Sequence, residues 1–252
     1  MGGIAICIGN YGAYNNGYLI DRWVDLPMGS GDLARLLRKM EEENRGIGAG
    51  EEFYVSDYDG TPFNVAYGGS GPFSECTPIE SLNLLAQVME DHPRECGIVQ
   101  MALDAGCDCP ESVLGLANWI LQADDIPVYP YALDADAFQA TTPEEKMGVS
   151  WAIGSGLYGA LDDLDAVGFF DFAAYGERVG ADCLLGDDGY VDLGLDMPAE
   201  DTFSWDDIRA LCGNLESAEL LPGPPAWETI QPEDEFPEFE YRYLDGGDGY
   251  ER

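Results

Sequence analysis

The sequence predicts an α+β fold: an elongated chain of three small mixed α/β domains, ending in an acidic C-terminal extension. Three observations lead there. Short apolar runs with strand character and amphipathic runs with helical spacing follow one another in separate blocks, divided by Gly-, Pro- and Asn-rich turns. A chain of 252 residues with 46% apolar and 12% aromatic content has enough material for real cores. The 49 Asp and Glu against 11 Lys and Arg give a formal charge of −38, far more than solubility requires.

The first block, residues 1–75, opens on "IAICI" (Ile4 to Ile8), a buried strand. "YGAYNNGYLIDRWVDLP" follows: the double asparagine before Gly17 marks a turn, and "LIDRWVDL" supplies a second strand. Ser30 or Asp32 can cap a helix that carries Leu33, Leu36, Leu37 and Met40 on one stripe and is stopped by Gly46. "EFYVSDYDG" gives a third strand ending in a turn.

The central block, 76–140, is helical. Thr77, Pro78 and Glu80 read as a capping box ahead of Leu82, Leu85 and Met89. Pro110 to Gln122 forms a second helix with Val113, Leu116, Trp119 and Ile120 on its apolar face. The third block, 141–200, repeats the capping device at Thr142, Pro143 and Glu145, opening a long helix that Gly148, Gly154, Gly156 and Gly159 weaken or kink. A short helix from Asp171 to Val179 and a hairpin of Cys183–Leu185 with Tyr190–Leu193, turned at Asp187, Asp188 and Gly189, complete it. The extension, 201–252, holds a short helix at Trp205 to Leu211. After it comes a Pro-, Gly- and acid-rich tail whose composition predicts poor order.

Seven cysteines make no even framework, and "MGGIAICIGN" has no basic region or long apolar core. The expectation is a reduced, cytoplasmic protein without a membrane span. A surface so acidic repels nucleic acid and anionic membrane, leaving a basic protein, a cation or concentrated salt as partner. Catalytic readings are weak. The lone His92, beside Pro93, reads as a cap or surface residue, and without a second histidine most triads and zinc hydrolase sites are unavailable. Cys96, Cys107 and Cys109 match no zinc spacing and read as free thiols. "DYDG" and "DDG" lack the rest of a calcium loop, and "GGSGPF" lacks the lysine of a phosphate loop. With 49 acids, paired carboxylates such as Asp57 with Asp59 carry little information. No catalytic, cofactor-binding or metal-binding residue is assigned, and no cofactor is expected.

The charge is uneven. Residues 1–94 carry fourteen acids and six bases, residues 95–177 fifteen acids and the single base Lys146, and residues 178–252 twenty acids and four bases. Adaptation to high salt would spread acid over every segment. The alternative is that carboxylates stand in for phosphates. Duplex DNA carries one charge per ~1.7 Å, so 38 charges equal those of roughly 19 base pairs, or about 65 Å. A compact globule of this chain length would be only about 46 Å across. Matching the linear density therefore favours an elongated arrangement.

"AYNNGYLIDRWVDLP", with a strand before it and "DYDG" after it, resembles the start of the ArdA family of antirestriction proteins. "GFFDFAAYGERVGADCLLGDDGYVDL" is similar to that family's closing segment, so the resemblance spans both ends of residues 4 to about 193. It implies a curved, three-domain homodimer that mimics B-form DNA and occupies the DNA channel of a type I restriction-modification complex, against its specificity and methyltransferase subunits. It also makes the asparagine turn and Trp23 structural features of the first domain. The glycine-rich "AIGSGLYGALDDLDAVG" and the extension after Pro198 depart from the family pattern. The mimic surface is assigned to Asp104, Asp108, Glu111, Asp124, Asp125, Asp134, Asp136, Glu144, Glu145, Asp162, Asp163, Asp165 and Asp171. The dimer joint is assigned to Phe169, Phe170, Phe172 and Tyr175, the least charged run available. The rival readings are a mimic directed at another defence complex such as CRISPR, a carboxylate-based calcium-binding protein or enzyme, and a halophilic protein of unrelated role.

Overall fold

The computed structural model describes residues 3–45, 52–68, 71–132 and 140–212. Over these residues the fold is mixed α/β, with two small antiparallel sheets. Gly46, Asp134, Asp136 and the Pro-rich tail lie outside the described residues.

The first sheet has the order β2-β1-β3. β1 (Ile4–Asn10) lies between β2 (Arg22–Leu26) and β3 (Phe53–Tyr58). Its isoleucines Ile4, Ile6 and Ile8 alternate into the core, as the period of a strand with one buried face requires. The segment after β1 is not a hairpin turn. Tyr11–Asn15 forms a one-turn helix, α1, capped by the Asn10 side chain accepting from Ala13 N, and Asn16 with Gly17 (φ +82°) closes it. The asparagine–glycine pair is thus a helix stop, because both residue types tolerate the conformations that end a helix. α2 (Ser30–Asn44) buries Leu33 and Met40 as its stripe predicts. Its N-cap is Gly29 and no side chain caps it, while Asp32 pairs instead with Arg35 one turn on.

α3 (Ile79–Asp91) begins after Pro78 without the predicted capping box. The Thr77 hydroxyl instead accepts from Ser74 N and donates to the Pro72 carbonyl, so it fastens the loop before the helix. α4 (Pro93–Asp104) follows, a helix with no counterpart among those the sequence predicts. His92 sits at the junction, the last cap of α3 and the first of α4, with its Nδ1 3.9 Å from Glu95. α5 (Val113–Leu121) buries Val113, Leu116, Trp119 and Ile120, and its N-cap Ser112 accepts from Gly115 N.

β4 (Val128–Pro130), also unforeseen, pairs with β6 (Gly189–Asp192), which pairs with β5 (Cys183–Leu185). Gly189 therefore belongs to a strand rather than to the turn. α6 (Pro143–Gly154) carries the predicted capping box, with Thr142 accepting from Glu145 N and Glu145 accepting from Thr142 N. The long glycine-rich helix is two helices. Gly156, at φ +76°, breaks it, and α7 (Leu157–Asp163) follows. α8 (Phe172–Val179) crosses α6 at backbone contact: a Cβ on Gly148 would lie 2.0 Å from the Phe172 carbonyl, and one on Gly176 1.8 Å from that of Glu144.

One buried cluster joins Ile6, Val55, Leu82, Leu116 and Ile208, and a smaller one gathers round Tyr131, Met147 and Val149. From residue 200 to Cys212 the chain remains packed. α9 (Trp205–Leu211) buries Ile208 beside Cys212. Two buried asparagines act as clamps. Asn83 accepts from Met28 N at 2.7 Å and donates to Met28 O at 2.9 Å, and Asn118 does the same to Phe203 N at 2.7 Å and Phe203 O at 2.9 Å.

Candidate functional site

The assigned carboxylates among the described residues fall on turns and helix ends, where short polar side chains favour local caps and bends. Asp104 ends α4, Asp108 lies in the loop after Gly106, and Glu111 precedes the Ser112 cap of α5. Asp124 and Asp125 occupy the single 3-10 turn after α5. Glu144 and Glu145 form the first turn of α6, Asp162 and Asp163 the last turn of α7, and Asp171 caps α8 by accepting from Ala174 N at 2.9 Å. Asp165, at φ +54°, turns the chain out of α7. All are exposed except Glu144 and Glu145, which are half-buried. The crossing at Gly148 and Gly176 brings the first turn of α6 against α8, so Glu144 and Asp171 belong to one helix pair.

Four of these carboxylates have structural work. Asp104 accepts from the Gln100 amide at 2.7 Å, Asp124 pairs with Arg94 at 3.1 Å, Glu145 serves the capping box and Asp171 its N-cap. Backbone and hydroxyl donors of Thr141 and Thr142 hold the Glu145 carboxyl below the ordinary range. Among the described residues, Asp124 is the only one of the assigned group in an ion pair. Lys146, the sole base of residues 95–177, gives its ammonium to the Asp187 carbonyl at 2.7 Å. That contact draws attention to Asp187 and Asp188, exposed at the β5–β6 turn and outside the assigned group; the signal for them was the "DDG" turn itself.

The helix ends carry a second signal. A helix C-terminus is the negative end of the peptide dipole, and carboxylates there cost about 0.3–1 kcal/mol each at low salt. Yet α3 ends on Glu90 and Asp91, α4 on Asp104 and α7 on Asp162 and Asp163, none with a base in its last turn. The dipole disfavours this placement; Asp91 and Asp104 are offset by amide donors from Gln87 and Gln100 one turn earlier, Asp162 and Asp163 by no base in the last turn of α7.

The aromatic run divides. Phe170 meets Phe172 edge-on at 4.9 Å and Tyr175 at 5.5 Å, so those three pack within the chain, while Phe169 is 92% exposed. Trp23, on β2, is 52% exposed.

A shallow groove of about 180 Å³ is lined by Ile4, Pro27, Ala86, Met89 and Glu90, with one carboxylate and no nucleophile–base pair. Among the described residues no group of three His, Cys, Asp or Glu is placed to hold a metal, and no helix is long and apolar enough to cross a membrane. Burial pushes the Cys96 and Cys109 thiols up to about 11, which makes them poor nucleophiles.

No curated protein and no solved structure gives a significant match to this chain. The family model of the antirestriction protein ArdA matches it over residues 6–192, from within β1 to the end of β6, and the chain belongs to that family of antirestriction proteins.

Proposed function

We propose that the protein inhibits a type I restriction-modification complex by occupying its DNA-binding channel, with exposed carboxylates standing where DNA phosphates would lie against the specificity and methyltransferase subunits. The observation that carries this reading is the charge of residues 95–177: the sequence there holds fifteen acids and one base, that base is engaged with a backbone carbonyl, and among the described residues Asp124 is the one assigned carboxylate in an ion pair. The Asp162 and Asp163 carboxylates of α7 sit at the negative end of a helix dipole with no base in the last turn, as expected of groups retained for what they bind. The channel that receives DNA is basic, so these charges gain their partners only in the complex.

The test is protection of an unmethylated DNA substrate from a purified type I enzyme. Replacing Asp162, Asp163 and Asp165 together by Asn should weaken inhibition several-fold, and extending the change to Asp104, Asp108 and Glu111 should weaken it further. Retention of full potency by the folded six-site variant would overturn the proposal. A symmetric dimer joined through the aromatic run is the companion proposal, and Phe169→Glu tests it, since Phe170, Phe172 and Tyr175 are engaged internally. Sedimentation should show the variant dissociating where the wild type does not; a wild-type monomer at all concentrations would sink the dimer.

A further inference from the structure

The first sheet has a second face, and it bears no mimic-surface residue. Because Ile4, Ile6, Ile8, Val24 and Leu26 turn to the core, the intervening positions of β1 and β2 emerge on the opposite side. Registers fix who stands beside whom. Cys7 lies between Trp23 of β2 and Asp57 of β3, and Ala5 lies beside Asp25. At the next step Tyr54 and Asp21 lean together over Gly9, where a Cβ would fall 2.7 Å from the tyrosine ring and 2.8 Å from Asp21 Oδ1. The central strand thus offers a floor of small residues, Cys7 being only 5% exposed, beneath a half-exposed tryptophan and three carboxylates.

No base of this chain answers those carboxylates among the described residues. Arg22, the one base on β2, alternates to the other side and pairs with Glu43 of α2 at 3.0 Å. Burial raises the Asp21 carboxyl above the ordinary range, with no cation beside it to bring it back. An exposed indole flanked by unneutralised carboxylates matches one side chain best. The arginine guanidinium is planar, stacks on aromatic faces, and presents a fork of donors to a carboxylate in the same plane; the compact lysine ammonium can donate to a carboxylate but has no planar fork and stacks less well.

We infer that the outer face of the first sheet is a docking surface for an arginine-bearing protein segment, seated on Trp23 between Asp25 and Asp57. The inference goes beyond channel occupancy. A phosphate-like surface rewards any positive charge, whereas this face discriminates among cations by stacking, and its tryptophan has the size and exposure of a binding hot spot.

The test uses the full chain and two fluorescein-labelled peptides of equal length, one alternating arginine with glycine and one alternating lysine with glycine, followed by anisotropy at physiological salt. A chain this acidic attracts both, so the readout is the arginine-to-lysine affinity ratio. That ratio should be about 2- to 5-fold in the wild type, the range expected of one exposed stacking contact. It should fall to near unity in Trp23→Ala with an unchanged circular dichroism spectrum, and be partly kept in Trp23→Phe. The Asp162, Asp163 and Asp165 to Asn variant should retain the ratio even though it inhibits less well, which separates this surface from the channel-directed one. Equal affinity for the two peptides in the wild type, or a preference that survives in Trp23→Ala, would overturn the inference.

Discussion

At the scale of single residues, glycines show most clearly why identical letters have different consequences. Gly148 and Gly176 are the contact points of two crossing helices, with facing carbonyls where a Cβ would go, whereas Gly159 in α7 has nothing within 4 Å. Gly148→Ala should therefore cost about 1–3 kcal/mol or more as α6 is pushed off α8. Gly159→Ala should gain about 0.5–1 kcal/mol by favouring helix. Thermal melts of the two variants, moving in opposite directions, check the pair; equal shifts would mean the crossing is not as close as described. Asp21 supplies a pH dependence at the same scale. Its raised folded-state pKa means that its contribution to stability is fullest below the ordinary carboxylate value of about 3.9 and declines as pH rises through the raised value. Asp21→Asn should accordingly raise the melting temperature at neutral pH and leave it nearly unchanged in acid.

At the scale of elements, the buried asparagines matter most. Asn118 holds both backbone groups of Phe203, and Gln122 of the same helix donates to the Ala199 carbonyl at 2.9 Å, so α5 fastens the strap that leads into α9. This strap lies beyond the stretch shared with the family, which ends at residue 192. Asn118→Ala should expose the segment from Ala199 to Cys212 to hydrogen exchange and protease while α3 and β1 remain protected. Unaltered protection would show that Gln122 and Ile208 hold it without Asn118. The cost should be about 1–3 kcal/mol, the penalty of leaving a buried donor and acceptor unmet. Such tertiary clamps are hardly legible in sequence, because an asparagine inside a helical pattern looks like a flaw until its distant partner is known. What the sequence did reveal rested on local physics: the apolar stripes of α2 and α5, the capping box at Thr142, the strands of the first sheet, and the span of α9. The failures also have local causes. At Thr77 the same Thr–Pro–x–Glu letters serve a loop, since competing acceptors and donors at Pro72 and Ser74 claim the hydroxyl. β4 has only three residues and gains its meaning from a partner 63 positions away, Val128 against Val191. α4 begins at a proline directly after α3, and the break concealed the start. The candidate site was legible as charge and turn chemistry. The exposure of Trp23 was not, since the alternation of β2 fixes two faces without saying which is covered.

At the scale of the whole molecule, the charge of −38 pulls stability and binding in opposite directions. Like charges repel within the folded chain more than within the expanded one, so they weaken the fold. On the proposed occupancy of a basic channel, the same charges strengthen the complex. Salt screens both. Between about 0.05 and 0.5 M ionic strength the screening length shrinks from roughly 14 to 4 Å, short enough to uncouple neighbouring surface carboxylates. The melting temperature should rise over that range, most of all for a chain that places acids at the negative ends of α3, α4 and α7. Affinity for the restriction complex, measured directly and without competing DNA, should fall over the same range. A protein adapted to brine would gain stability with salt and keep its partner interactions there, so the two curves would run together. The Asp162, Asp163 and Asp165 to Asn variant supplies the internal check. Its melting temperature should exceed that of the wild type at low salt, with the difference closing as salt rises, while its affinity starts lower and falls less steeply. A variant that lost stability and affinity together would mean that these carboxylates hold the fold, and that the weakened inhibition reports damage rather than lost mimicry.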